Sequence, residues 1–317
     1  MTADYLSKEQ TLRFKGILCL IVVFAHCNDS FLYAYGVWAV GVFFFLSGYA
    51  LGLTTKDKPI TPGLVLHKFK NFLLPFALIA VPYHIMFHFY PCIYEYNTLR
   101  GALKGLVTFV PTVQAGWYIV SLTYLFIVYF VARKLSKGNN ILLFVIMTAL
   151  YIVYVVYDLV FVHADWPVQN AHMFIVGVLF SMYRENFEKF FKGKTVLGYT
   201  LLFVSYLSVV TPVFCFEKGR FLTNAAMFVF YNLSVVLFLY FAFRTRLKGP
   251  VTAFFGKYSL WIYLIHVGVQ YMLMNVMPMW GIVIRWTVPA FFAATLAVSI
   301  VLALAVAVPY NLIMKKS

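Results

Sequence analysis

The chain has 317 residues, of which 63% are hydrophobic and 11% charged, with a mean hydropathy of +0.86 and a formal charge of +15. That composition excludes a water-soluble globular domain and fits an integral membrane protein. The positive charge does not call for a nucleic-acid partner, because the basic residues sit in short stretches between apolar runs, where they hold topology against anionic membrane lipids.

Apolar runs long enough to cross about 30 Å of hydrocarbon occur at residues 16–34, 37–53, 71–90, 115–132, 141–161, 169–183, 195–214, 222–243, 258–278 and 283–312. They are continuous and not alternating, which argues against a membrane β-barrel. The expected fold is all-α and integral to the membrane, with about ten transmembrane helices around a central cavity. The first run begins after Lys15 and flows toward the second with no small-residue cleavage site, so it reads as an uncleaved span.

An even number of spans puts both termini on one side. Of the 25 lysines and arginines, only Arg100, Lys104, Lys218, Arg220 and Arg285 fall on the far side from the N-terminus. The bias predicts cytoplasmic termini. The longest gap, Pro91 to Gln114, reads as a re-entrant or surface helix on the outer side. There is no internal repeat and no low-complexity tract, so residues 1–317 read as a single transmembrane domain with no appended soluble domain. The four cysteines form no C-x-x-C pair, which leaves neither a zinc nor a redox motif.

Polar groups at membrane depth carry the functional information, because an ionisable residue inside a span is costly. The stretch KGILCLIVVFAH places Lys15 and His26 at opposite ends of an apolar run. At about 100° per residue they project from nearly one helix face, separated by about 16 Å of rise, and that face is expected to line a cavity. A long ligand with an anionic head and a reactive tip suits it, and coenzyme A thioesters have that shape. Phosphates call for cations, and acyl transfer to a hydroxyl calls for a base such as histidine. An interfacial lysine anchor and a hydrogen-bonded inter-helix histidine fit the spacing equally well.

Other sites are less specific. His84 and His88 lie at i, i+4 near the outer end of the third span, a metal-binding spacing, but no third ligand is indicated and no metal is expected. His266, in SLWIYLIH, suits packing or cavity lining. His163, Asp165 and His172 flank an outer loop. Ser47 is not set in G-x-S-x-G, which disfavours a serine hydrolase.

The run LRFKGILCLIVVFAHC followed by GVWAVGVFFFLSGYALG resembles the opening helices of the acyltransferase-3 family, integral membrane enzymes that O-acylate sugars of bacterial surface glycans. In that family a basic residue, ten positions and a histidine stand in the first helix, which Lys15 and His26 match. GWYIVSLTYLF around Trp117 and GKYSLWIYLIH around His266 are similar to later family signatures. Where relatives have Arg-x-x-Arg entering the third helix, this chain has HKFKN, with His67 and Lys70 at that spacing and Lys68 between them.

The resemblance implies an O-acyltransferase of the bacterial inner membrane. It would move an acyl group, expected to be acetyl, from cytoplasmic acyl-CoA to a hydroxyl of a surface polysaccharide or lipid-linked sugar. His26 would be catalytic, and Lys15, Lys68, Lys70 and Arg13 would bind the donor. Placement near the outer ends of spans suits Trp38, Tyr90, Tyr94 and Trp117 to stacking on sugar rings, although interfacial belts are the commoner reason for such aromatics. His84 and His266 are expected to line the acceptor side of the cavity, and proteins of polysaccharide biosynthesis would be partners. A transporter or flippase for a glycan or lipid-linked intermediate is the alternative, with His26 as a proton relay. A third reading is a scaffold in a polysaccharide synthesis complex.

Overall fold

The computed structural model describes residues 6–27, 33–89, 100–101, 103–104, 113–162, 166–191, 238–239, 241–242 and 245–316. Among them the regular structure is entirely helical. The main helices are α1 (Lys8–Ala25), α2 (Tyr33–Thr55), α3 (Pro62–Phe89), α4 (Trp117–Ser136), α5 (Asn140–Tyr157), α6 (Trp166–Met182), α7 (Arg184–Phe191), α8 (Pro250–Tyr271) and α9 (Val288–Lys316). A π-helical turn, Asp158–Val162, extends α5, and another, Met272–Val276, extends α8.

Six of these helices are long and apolar enough to cross a membrane: α2, α3, α4, α5, α8 with its extension, and α9. The sequence led us to expect ten spans. Those at 195–214 and 222–243 lie largely outside the described residues, as does most of the surface helix expected between Pro91 and Gln114. In α6 the apolar stretch covers only Asn170–Met182. The first span is displaced toward the N-terminus: α1 starts at Lys8 and ends at Ala25, and its first half carries Lys8, Glu9, Arg13 and Lys15. His26 therefore caps α1, with φ −75° and ψ −10°, and is not embedded within a longer helix.

Local chemistry explains where the helices start. The Ser7 hydroxyl accepts from the Gln10 amide at 3.2 Å and caps α1, and Asn139 accepts from the amides of Ile141 and Leu142 to cap α5. At the end of α2, Arg133 donates to the Lys56 carbonyl at 2.8 Å, placing a cation where helix carbonyls point outward.

Lipid gives helices no hydrophobic reason to associate, so close backbone contact through small residues becomes decisive. The α2–α6 crossing depends on it. A side chain at Gly48 would collide with the Phe174 backbone, and one at Gly177 with the Phe45 carbonyl. At the α1–α8 crossing, Gly16 and Gly256 play the same part against Thr252 and Leu12.

Between these crossings lies an aromatic core. Phe44 meets Tyr118 at 4.6 Å between centroids, and Phe72 meets Phe126 at 4.9 Å. The outer surfaces of α5 and α9 expose Ile141, Ile152, Val153, Val301 and Ile313. Such surfaces are stable against acyl chains and not against water.

Candidate active site

Five helices, α1, α2, α3, α4 and α8, line an open cavity of about 300 Å³. Lys15 enters it from α1 and Lys68 from α3, so two cations expected from the sequence share one space. The walls are mainly apolar and aromatic, with Phe43, Phe72, Tyr118, Phe126 and Tyr263 prominent. Lys68 donates to Thr54 Oγ1 at 2.8 Å, and Thr54 in turn donates to the Ala50 carbonyl at 2.6 Å, which orients the ammonium group at the end of α2. Asn71 lies three residues beyond Lys68 and lines the same cavity. This i, i+3 relation puts Lys68 and Asn71 on the cavity face of α3, whereas His67 and Lys70, which hold the family spacing, are absent from the cavity lining.

Arg13 is occupied elsewhere. It pairs with Glu9 one turn earlier, with Nη2 at 2.7 Å from the carboxylate, and also donates to the Gly249 carbonyl and, at 3.2 Å, to Thr252 Oγ1. Gln10 exchanges two hydrogen bonds with the Leu247 backbone, at 3.0 and 2.9 Å. Together these contacts tie the start of α1 to the start of α8.

Toward its other end, α1 continues along α8. Cys19 Sγ donates to the Ser259 carbonyl at 3.5 Å, and Gln270 Nε2 donates to Cys27 Sγ at 3.3 Å. Lys15 and His26 both meet α8, in keeping with the shared face read from their spacing: Lys15 joins Ser259 and Tyr263 in the cavity, and the His26 ring lies 5.1 Å from that of His266. His26 is exposed, while His266 is fully buried.

Tyr263 forms the wall between the two halves. Its ring lines the cavity, meets Tyr118 at 5.6 Å and meets His266 at 5.8 Å. The lining of this cavity includes Lys15 and Lys68 but not His26. Near the histidine pair, Tyr83 from α3 donates to the Leu264 carbonyl at 3.0 Å and accepts from the Gly268 amide, which locks α3 onto α8.

The remaining candidates are dispersed. Trp38 and Trp117 are half-buried against the core, Trp117 with its ring 6.2 Å from Phe44. His84 is half-buried and its Nδ1 has no hydrogen-bond partner among the described residues. Tyr90, Tyr94 and the side chain of His88 lie outside the described residues. Among the described residues, no group of three His, Cys, Asp or Glu is placed to hold a metal.

Sequence reading missed Ser47, Asn71, Tyr118 and Tyr263 as cavity residues. Ser47 and Tyr118 share a hydrogen bond at 2.9 Å. A signal for Ser47 existed, since it is the one hydroxyl residue in the run GVFFFLSG. Tyr118 and Tyr263 carried no such signal in a chain with 23 tyrosines.

A family model described as an acyltransferase domain matches residues 13–308. No curated protein and no solved structure matches the chain.

Proposed function

This chain belongs to the acyltransferase-3 family of membrane acyltransferases, and we propose that it transfers an acetyl group from cytoplasmic acetyl-CoA to a hydroxyl of a surface polysaccharide or lipid-linked sugar. The observation that carries this reading is the convergence of Lys15 and Lys68 on an aromatic cavity whose Tyr263 wall leads to the His266 and His26 pair.

A cavity of about 300 Å³ has room for the slender arm of a coenzyme. The nucleotide would stay at the mouth, where Lys68 stands beside the end of α2. The two ammonium groups would take the phosphates as point charges, without the bidentate geometry that arginine offers. Thr54 and Asn71 supply neutral polar contacts on the same wall. The acyl end would then pass the Tyr118 and Tyr263 rings toward His26.

In the reaction His26 would accept the proton of the acceptor hydroxyl as its oxygen attacks the thioester carbonyl carbon. The carbon–sulfur bond breaks, and the coenzyme thiolate leaves and takes up the proton from His26. Exposure of His26 supports approach of a bulky acceptor from outside the bundle. The charge bias of the sequence supports a bacterial inner membrane orientation in which the Lys15 end faces the cytoplasm.

Purified protein incubated with acetyl-CoA tests the reading against transport and scaffolding, because neither of those consumes a thioester. The account expects free coenzyme A to form, and mass spectrometry to show loss of acetyl from surface glycans when the gene alone is deleted. Intact acetyl-CoA together with unchanged glycan masses would contradict it.

A further inference from the structure

We infer that His266 is the positioning residue for His26, supplying the hydrogen-bond acceptor that holds the His26 ring while it carries a proton. The inference rests on the acyltransferase reading above and adds a role that neither the family match nor the cavity assigns.

His266 is fixed from within its own helix. Its Nδ1 lies 2.6 Å from the Tyr263 carbonyl, and a carbonyl can only accept, so Nδ1 carries the hydrogen. That bond defines the tautomer and leaves Nε2 as a lone-pair acceptor. Nε2 is buried and has no hydrogen-bond partner among the described residues, an arrangement that buried polar atoms rarely keep without a purpose. The neighbouring ring is His26, at 5.1 Å between centroids with a 54° tilt. Catalytic hydrogen bonds are often long before substrate binds, and a modest ring rotation brings an N–H of His26 onto Nε2.

The surroundings hold His266 in place. The Tyr263 ring packs against it at a tilt of 49°, and Tyr83 bonds the α8 backbone at Leu264 and Gly268 on either side of it. His26 in turn is anchored by the Gln270 contact to the next residue, Cys27. When His26 takes the proton of the acceptor hydroxyl, its second nitrogen also bears hydrogen, and Nε2 of His266 receives that N–H. His266 remains neutral and no proton is left on it. The proton on His26 passes to the departing thiolate, which returns the pair to its starting state.

The test uses the full-length purified protein, with wild type, His266→Phe and His266→Gln compared in two assays. Phenylalanine fills the ring site without an acceptor; glutamine can present an acceptor near the Nε2 position. The first assay follows thiol release from acetyl-CoA with water as the acceptor. His266→Phe should lower kcat about 100-fold at unchanged KM, and His266→Gln should stay within about tenfold of wild type.

The second assay follows carbethoxylation of His26 by diethyl pyrocarbonate, read by peptide mass spectrometry with the exposed His67 as internal control. Labelling should slow about tenfold in His266→Phe and recover in His266→Gln. Wild-type behaviour of His266→Phe in both assays overturns the inference. So do equal losses in both variants accompanied by a raised KM, which would mean that His266 serves packing alone. If the wild type releases no thiol, the proposed function falls, and the labelling rates alone decide the role of His266.

Discussion

Lys15 on α1 and Lys68 on α3 line one cavity, and the Lys68 ammonium group is held there by Thr54 at 2.8 Å. Two cations in one largely apolar space repel each other and lose hydration, and a bound anion would offset both costs. In the proposed function this pair is the binding element for the donor's phosphates.

Replacing either lysine by alanine should raise KM for acetyl-CoA about tenfold, equivalent to about 1.4 kcal/mol of binding, with little change in kcat. The double variant should lose more than either single one. Steady-state kinetics over a range of acetyl-CoA concentrations checks this, and dephospho donor analogues should lose their dependence on the lysines in step with the phosphates removed.

His67→Ala and Lys70→Ala should leave KM within about twofold of wild type, because both side chains are exposed outside the cavity lining. Asn71→Ala, on the Lys68 face of α3, should raise KM by a few-fold, consistent with the loss of one neutral hydrogen bond. The same kinetic assay separates the two faces of the helix.

Arg13→Ala should weaken the protein and spare the donor. The guanidinium bridges Glu9, the Gly249 carbonyl and Thr252, joining α1 to the start of α8. A loss of about 1–2 kcal/mol in stability, seen as a lower melting temperature in detergent, should accompany an unchanged KM for acetyl-CoA.

Gly177→Val should be far more disruptive, since its side chain would run into the Phe45 carbonyl across the α2–α6 crossing. A cost of about 3 kcal/mol or more is expected, measurable as lost thermal stability. Gly63→Ala is the matched control: nothing lies within 4 Å of the added carbon, and its effect should be neutral or mildly stabilising.

Hydropathy made the helices over the described residues legible, because a continuous apolar run has few other uses in a chain of this composition. The shared face of Lys15 and His26 was legible from helical phase, and both residues do meet α8. The end of α1 was not placed correctly, although the polar run Asn28-Asp29-Ser30 beyond it was an available stop signal.

The phase of HKFKN was hidden for a different reason. Three basic residues within four positions cover much of a helix circumference, and only packing of Phe69 and Phe72 against Phe126 decides that Lys68 and Asn71 turn inward. The meeting of His26 with His266 was equally invisible, since it depends on the close α1–α8 crossing through Gly16 and Gly256 and joins residues 240 positions apart.

The most direct measurement is acetyl transfer by purified His26→Ala alongside binding of acetyl-CoA to the same preparation. The account predicts a loss of kcat of about 10²- to 10⁴-fold with donor affinity retained, because the lysines that hold the phosphates are untouched. Wild-type kcat in His26→Ala would contradict the assignment of His26 as the base on which the proposed chemistry depends.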